Sequence, residues 1–315
     1  MKIIPLSYPI DLHSSPMYVG KQVVAIGDFD GVHLGHQEVI GRAIQTAKRL
    51  DLPASVMTFH PHPRSVMGQH KYEHLLTPIH RKMEILASLG VNHVYIVTFD
   101  DSLMHLSPQQ FVDDVLELLG VESIVCGFDF TFGYQGCGNP DTLCELSHGK
   151  FSVEVVRPYI MHGEKVSSTS IREALQQGDI DEVSKLLGRC YSISGKVVDG
   201  HKRGRTIGFP TANIEPHELY VVPKNGVYAI KAHVNGKYYK GVMNIGVKPT
   251  FETGELKTTF EAHLFDFSDD IYGETVRVEL VSFLRPERKF ASIEELVEQI
   301  KQDAETSKDR LSTIL

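Results

Sequence analysis

A glycine-rich segment with two histidines lies between an apolar run and a predicted helix near the N-terminus. Residues 27–36 read GDFDGVHLGH and follow the apolar run Val23–Ile26. Glycines let the backbone approach a ligand closely, and the start of a helix offers free amides and a partial positive charge. His33 and His36 can donate hydrogen bonds to phosphate oxygens as charge develops there. The pattern predicts a site for transfer at an α-phosphate; the alternative is a glycine turn with two incidental histidines.

Two later segments could complete this site. Residues 127–133, GFDFTFG, follow the apolar run Ser123–Cys126, and residues 167–172, SSTSIR, open a predicted helix. In the first segment Asp129 could coordinate Mg²⁺ or a ligand hydroxyl, and Phe130 could pack a flat ring. In the second, hydroxyls and free amides followed by a cation one turn later could bind a triphosphate tail. The structural alternatives are a strand end with core aromatics and an ordinary helix N-cap.

The C-terminal half holds a second glycine-rich segment, and this one is basic. Residues 195–213 read GKVVDGHKRGRTIGFPTAN in a chain whose net charge is −8. Glycines and cations together suit a flap over a triphosphate, and Thr211 and Asn213 supply oxygen ligands for Mg²⁺. Glu261, inside the strand-like run Thr258–Phe265, could act as general base for a hydroxyl attacking a γ-phosphate. A basic surface hairpin and a solvated strand residue are the alternatives.

The hydrophobic pattern around these segments changes near the middle of the chain. The first half alternates strand-like and helix-like stretches, which indicates βαβ units and a parallel sheet. After about Gly188 the pattern becomes all-β, with five strand-like runs, and it returns to a helical period over Ser292–Leu315. We therefore expect two domains, 1–186 and 187–315, the second being a small barrel or sandwich.

Composition limits the classes of protein that this chain can belong to. It has 315 residues, 42% of them hydrophobic, which suits about two globular domains. The net charge of −8 argues against a nucleic-acid partner, and no apolar run approaches the ~20 residues of a membrane span. The N-terminus lacks the pattern of a signal peptide, and the four cysteines match neither a zinc site nor a disulfide framework. We expect a cytoplasmic protein that binds small molecules and associates with neither membranes nor nucleic acids.

The N-terminal segments, in their order and spacing, resemble the FMN adenylyltransferase domain of the bacterial bifunctional riboflavin kinase/FAD synthetase family. The family's Thr-Phe-x-Pro-His-Pro segment is also present, at Thr58–Pro63. The resemblance implies a Rossmann-like nucleotidylyltransferase fold in which His33 and His36 are catalytic. The residues implied to bind ATP and its phosphates are Gly27, Phe29, Asp30, Gly31, Gly35, Ser168, Thr169 and Arg172. Those implied to bind flavin or Mg²⁺ are Asp129, Phe130 and His62. Asp28 departs from the uncharged residue expected there and adds negative charge near the phosphates.

The C-terminal segments resemble the riboflavin kinase domain of the same family. The matching stretches are residues 195–213, NIGVKPTF at 244–251, EAHLFDF at 261–267 and LRPE at 284–287. The resemblance implies a Greek-key barrel with a C-terminal helix, with Glu261 as catalytic base and Thr211 and Asn213 as metal ligands. The residues implied to bind ATP and its phosphates are Gly200, Gly204, Arg205, Gly208, Pro210 and Asn213. Asn244 and Arg285 are implied to bind flavin.

The combined resemblance implies a bifunctional enzyme of FAD biosynthesis. It would use ATP with Mg²⁺ to convert riboflavin to FMN in the C-terminal domain and FMN to FAD, with release of pyrophosphate, in the N-terminal domain. We expect a monomer or a weak homo-oligomer. Two alternatives remain open at this point: a nucleotidylyltransferase for a non-flavin substrate, and a non-catalytic flavin-binding regulator.

Overall fold

The computed structural model describes residues 1–11, 19–199, 208–249 and 256–313. The packing of the backbone divides the chain into two compact units, Met1–Ser168 and Thr169–Leu315. In the described residues, no helix is both long enough and apolar enough to cross a membrane.

The first unit is built on a six-stranded parallel sheet with the order β1-β4-β3-β2-β5-β6. This arrangement confirms the parallel sheet that strand–helix alternation predicted. Every residue of the central strand β2 is buried, as expected where helices cover both faces of a sheet. The strands are β1 Lys2–Leu6, β2 Gln22–Ile26, β3 Ala54–His60, β4 His93–Thr98, β5 Val121–Gly127 and β6 Ser152–Val156. The sequence did not predict β1, because Pro5 interrupts it; proline is tolerated there since β1 is an edge strand.

Helices follow most of these strands. The first helix buries Val39, Ile40, Ala43 and Ala47, a spacing of three to four residues that places them on one face toward the sheet. The helices are α1 Leu34–Leu50, α2 Pro63–Val66, α3 Ile79–Ser88, α4 Asp101–Met104, α5 Pro108–Phe111 and α6 Pro140–Leu146. The helix α5 is continued by a wider π-type segment, Val112–Glu117. A small hairpin, β7 Ile160–Met161 and β8 Glu164–Lys165, precedes the end of the unit.

The strand order changes direction between β2 and β5. From β2 the chain adds β3 and β4 on one side and then crosses to place β5 on the other side of β2. In open α/β sheets the crevice outside the carboxyl ends of two such strands is the usual ligand site. The segments 27–36 and 127–133 follow β2 and β5 at that crevice.

The second unit is a closed six-stranded antiparallel barrel with the order β10-β13-β12-β11-β14-β9. Within it β14, β11, β12 and β13 lie side by side in the order 4-1-2-3 of a Greek key. The strands are β9 Tyr191–Val198, β10 Ala212–Pro216, β11 Gly226–Val234, β12 Lys237–Pro249, β13 Leu256–Leu264 and β14 Thr275–Arg285. The sequence predicted every strand except β10, which is short and ends in a proline.

Three helices accompany the barrel: α7 Ser168–Gln177, α8 Ile180–Leu187 and α9 Ile293–Thr313. The backbone amide of Lys224 donates to the carbonyl of Leu175 in α7, and α8 packs on β9 and β14. These contacts are why α7 and α8 belong to the second unit although the all-β pattern begins after them.

Candidate active sites

The loop after β2 adopts a backbone conformation that its surroundings hold in place. Phe29, Gly31 and Val32 have φ values of 50°, 94° and 40°, which is the left-handed region that non-glycine residues seldom occupy. The Asp30 carboxylate accepts a hydrogen bond from the backbone amide of Thr77 at 3.1 Å. The Asp30 carbonyl accepts another from the Ser168 hydroxyl at 2.8 Å. Such contacts from distant segments are what allow a strained loop to persist, and strained loops cluster at functional sites.

This loop brings the two predicted catalytic histidines together at the start of α1. The His33 and His36 rings are stacked with centroids 3.5 Å apart and planes 20° apart. His33 caps the helix, because its Nδ1 accepts a hydrogen bond from the backbone amide of His36 at 3.3 Å. A ring nitrogen that accepts carries no proton, so the proton of neutral His33 is on Nε2. His33 is therefore held as a hydrogen-bond donor at the N-terminus of a helix, where the helix dipole is positive.

Two of the predicted phosphate-loop glycines leave room for these aromatic rings. A Cβ atom at Gly35 would lie 3.2 Å from the His33 ring, and one at Gly27 would lie 3.2 Å from the Phe29 ring. The Phe29 ring meets the His36 ring edge-on at a centroid distance of 5.4 Å. A side chain at either glycine would therefore press on the residues that orient the imidazoles.

The loop after β5 carries Asp129, whose carboxylate forms an ion pair with Lys165 of β8 at 2.6 Å. The Lys165 ammonium also lies 4.5 Å from the centroid of the exposed Phe128 ring. Phe130 stacks on Phe132 at a centroid distance of 5.7 Å and packs against the core of the unit. Lys165 could not be predicted as a partner of Asp129, because a lysine in a short hairpin carries no local signal of its partner.

The segment after β3 places His62 near the loop after β2. His62 is buried, stacks on Tyr72 with centroids 4.7 Å apart, and accepts the backbone amide of Arg64 at Nδ1. Its Nε2 lies 3.9 Å from the Asp28 carboxylate. Burial raises the pKa of Asp28, while the charges of His62 and Lys82 act in the opposite direction. Because β3, β2 and β5 are neighbours, the segments carrying His62, the stacked histidines and Asp129 follow the same edge of the sheet.

The helix α7 begins with the remaining residues predicted for this site. Ser168, which contacts the Asp30 carbonyl, is the last residue of the first unit. Thr169 is exposed and Arg172 half-buried, and both belong to the second unit. Their predicted contact with phosphates stays a prediction.

The barrel aligns three of the predicted kinase residues in one row. Glu261 of β13 lies opposite Asn213 of β10 on one side and opposite Asn244 of β12 on the other. Directly opposed residues of antiparallel strands share a face of the sheet. All three are half-buried, whereas Phe260 and Ala262, the neighbours of Glu261 along the strand, are buried in the barrel. The row therefore lies on the outer face.

Further polar side chains surround this row. The ammonium of Lys248 forms an ion pair with Glu261. The Asn244 amide donates to the Glu287 carboxylate at 3.1 Å. Glu287 can pack against Gly246 because glycine has no side chain: a Cβ at this position would clash with a carboxylate oxygen of Glu287. The sequence did not predict that Lys248 pairs with Glu261 or that Glu287 contacts Asn244.

Arg285, predicted to bind flavin, is held at the end of β14 by the C-terminal helix. Its guanidinium donates to both carboxylate oxygens of Asp303, with N–O distances of 2.9, 3.1 and 2.7 Å. The Gln299 amide donates to the same carboxylate at 2.9 Å. Arg285 leads directly through Pro286 to Glu287, so α9 is tied to the segment that contacts Asn244.

The segment before β10 is described in part. The His263 ring nitrogen Nδ1 and the Pro210 carbonyl are 2.7 Å apart, and Thr211 is half-buried just ahead of the strand. Gly208 has a φ of 84°. Gly200, Gly204 and Arg205 lie outside the described residues.

Comparison with known proteins separates the same two regions. The family model for FAD synthetase matches residues 16–170, and the family model for riboflavin kinase matches residues 187–311. The parallel-sheet unit and the barrel thus belong to a fusion of an FAD synthetase region with a riboflavin kinase region.

Relatives that are named for both activities match this chain over nearly its whole length. A bifunctional riboflavin kinase/FMN adenylyltransferase of Bacillus subtilis is 46% identical, covering 96% of each chain. Its counterpart in Listeria monocytogenes is 42% identical, covering 98% of each, and that in Escherichia coli K12 is 37% identical, covering 91% of this chain and 92% of the relative. The chain belongs to the bifunctional riboflavin kinase/FMN adenylyltransferase family.

A solved structure supports the fold over nearly the whole chain. A crystal structure described as a macrolide-efflux protein from Streptococcus pneumoniae is 32% identical, with a TM-score of 0.88. The match covers 98% of this chain and 99% of that one.

Proposed function

We propose that the two regions catalyse successive steps with separate sets of residues: the barrel makes FMN from riboflavin, and the parallel-sheet unit makes FAD from FMN. ATP, with Mg²⁺, is the second substrate of both steps. The observation that carries this proposal is that each region brings together its own group of side chains that are chemically able to act on phosphates. One set is the stacked pair His33 and His36, and the other is the row Asn213–Glu261–Asn244.

In the kinase step, the terminal ribityl hydroxyl of riboflavin attacks the γ-phosphorus of ATP. A new oxygen–phosphorus bond forms, the bond from the γ-phosphorus to the β–γ bridging oxygen breaks, and ADP leaves. Glu261 takes the proton of the hydroxyl, a role for which a carboxylate beside the substrate is suited. Thr211 and Asn213 offer the hard oxygen donors that Mg²⁺ prefers, and the ion would neutralise phosphate charge. Asn244 and Arg285 would contact the flavin, and Gly200, Gly204, Arg205, Gly208 and Pro210 the nucleotide.

In the adenylyl-transfer step, a phosphate oxygen of FMN attacks the α-phosphorus of the second ATP. A diphosphate linkage forms and pyrophosphate leaves, so the protein need supply no nucleophile. His33 donates from Nε2 to the phosphate oxygens, and His36 supports the same charge from the stacked position. The α1 N-terminus and the loop Gly27–Gly31 would bind phosphates, with Ser168, Thr169 and Arg172 on the pyrophosphate. Asp129, Phe130 and His62 would act on the flavin side.

The proposal is tested by incubating the purified protein with riboflavin, ATP and Mg²⁺ and separating the flavins by chromatography. FMN should appear first and FAD later. His33→Ala should stop the reaction at FMN, with FAD formation reduced roughly 10²-fold or more. Glu261→Gln should block FMN formation but leave the conversion of added FMN to FAD intact. FMN without FAD would reject the adenylyl-transfer step, and no flavin product at all would favour a non-flavin substrate or a regulatory protein.

The remaining proposals concern organisation. We propose functional domains at 1–186 and 187–315, a division that assigns α7 and α8 to the N-terminal domain. The enzyme is proposed to act in the cytoplasm as a monomer or weak homo-oligomer, without a nucleic-acid or membrane partner. The four cysteines are unpaired thiols, as is usual in that compartment.

A further inference from the structure

Lys82 of α3 is buried beneath the phosphate loop, although lysine is rarely buried without a partner. It is 4% exposed. Its ammonium donates to the Asp28 carbonyl at 2.7 Å and lies 3.3 Å from the Thr58 hydroxyl oxygen. The Thr58 hydroxyl in turn donates to the same carbonyl at 2.9 Å. A cation and a hydroxyl therefore converge on one backbone atom of the loop.

The segment that carries Lys82 holds the loop at a second point. Thr77, just ahead of α3, donates its backbone amide to the Asp30 carboxylate at 3.1 Å. The residues Phe29, Gly31 and Val32, whose φ values are positive, lie between or just after these attachments. Lys82 of α3 and Thr77 just ahead of it thus hold two points of the loop that leads into His33, in addition to the contacts from Thr58 and Ser168.

The Lys82 charge also acts on the electrostatics of the site. The loop predicted to bind the triphosphate carries two carboxylates, those of Asp28 and Asp30. Burial raises the pKa of the Asp28 carboxyl, and the positive charges of His62 and Lys82 lower it, because they stabilise the carboxylate. A buried cation is poorly screened by water, so its field reaches a bound anion more strongly than that of a surface lysine.

We propose that Lys82 is a positioning residue for adenylyl transfer: it fixes the loop after β2 for His33 and His36, and its charge compensates Asp28 toward the triphosphate. This inference rests on the proposed function of the N-terminal unit. It assigns a compensating cation to the negative charge that Asp28 adds near the phosphates.

The test compares Lys82→Met with wild type in steady-state conversion of FMN to FAD. We expect kcat/KM to fall at least about tenfold, because the loop loses an anchor and the triphosphate loses a cation. Riboflavin phosphorylation by the same chain should be unchanged, which makes it an internal control for the intact protein. Lys48→Met, in the exposed last turn of α1, is the matched control and should leave both activities at wild-type values.

Two further variants separate charge compensation from simple packing. In the double variant Asp28→Asn/Lys82→Met the KM for ATP should return toward the wild-type value, since both charges are removed. Thr58→Val removes one anchor of the Asp28 carbonyl without changing charge, and it should lower kcat with little effect on that KM. If Lys82→Met does not fold, Lys82→Arg and Asp28→Asn carry the test: the first should keep the KM for ATP, and the second should lower it.

The outcomes distinguish the inference from the function on which it rests. Wild-type rates and KM values in Lys82→Met, with an active wild-type enzyme, would overturn the role of Lys82 alone. Failure of the double variant to recover the KM would reject charge compensation. A wild-type chain that makes no FAD would overturn the proposed function and the inference together.

Discussion

The buried ion pair between Arg285 and Asp303 provides a test of how the C-terminal helix supports the kinase site. The Arg285 side chain is 19% exposed and the Asp303 side chain 6% exposed. Asp303→Ala removes a carboxylate that accepts three hydrogen bonds from one guanidinium. The guanidinium then remains half-buried without its counter-charge.

The size of the effect follows from this burial. Leaving one partner of a buried ion pair uncompensated costs about 3–5 kcal/mol, whereas a surface pair contributes ~0–1 kcal/mol. At roughly 2–4 °C per kcal/mol for a domain of this size, the barrel transition should shift down by about 10 °C. Replacing both partners by apolar residues, in Arg285→Met/Asp303→Leu, should recover most of that loss, because no unpaired charge is left.

Scanning calorimetry of the full chain measures the stability change, with the transition of the first unit as the internal reference. Kinase assays on the same samples measure the consequence for the site. Asp303→Ala should raise the KM for riboflavin, because Arg285 leads into Glu287, which contacts Asn244. FAD formation from added FMN should be unaffected.

A loss of less than about 1 kcal/mol in Asp303→Ala would show that the pair behaves as a solvated surface contact, contrary to this reasoning. The double variant decides what Arg285 itself does. Recovery of stability and of the KM for riboflavin would mean that Arg285 acts only by holding the segment. Recovery of stability alone would mean that the guanidinium contacts the flavin directly.

Three further predictions concern single residues. In Asp28→Asn the free energy of unfolding should exceed that of wild type at neutral pH. The reason is that burial raises the Asp28 pKa above its ordinary value of 3.8, so the folded wild type loses stability as this carboxyl ionises. Melting curves from about pH 3 to about pH 7 should therefore show the two proteins diverging as the pH rises. Glu261→Gln should lower kcat for riboflavin phosphorylation by about 10²–10⁴-fold in a coupled ADP assay, and a rate within threefold of wild type would exclude it as the base. Gly246→Ala should lower kinase activity, because the added Cβ displaces Glu287. The control is Gly41→Ala in α1, where a Cβ meets nothing within 4 Å. It should leave kinase activity unchanged and raise the free energy of unfolding by about 0.5–1 kcal/mol in thermal melts.

Local patterns in the sequence were sufficient for most of the elements. A fully buried strand such as β2 is an uninterrupted apolar run, and α1 shows a regular apolar face, so both could be predicted from neighbouring residues. The strands β1 and β10 could not, because each contains a proline and is short. Their strand conformation comes from pairing with β4 in the one case and with β9 and β13 in the other.

In the candidate sites too, some residues carry a local signal in the sequence and others do not. Glycines and histidines within the ten residues 27–36 signal their own local geometry, and the stacking of His33 on His36 follows from their positions at a helix start. The partners that hold the sites are distant in sequence. Lys82 meets the loop 54 residues away, Lys165 meets Asp129 at a separation of 36, and Asp303 meets Arg285 at a separation of 18.

The sequence by itself determined the two classes of fold and their order, since both depend on a short periodicity or a compact motif, and its predictions of phosphate-binding residues rest on the same kind of local signal. Only the tertiary structure decided which charges face one another. A lysine on a helix or an aspartate near the C-terminus has the same local sequence whether it is solvated or buried, and the physical difference arises when β-strand pairing and helix packing exclude water from it.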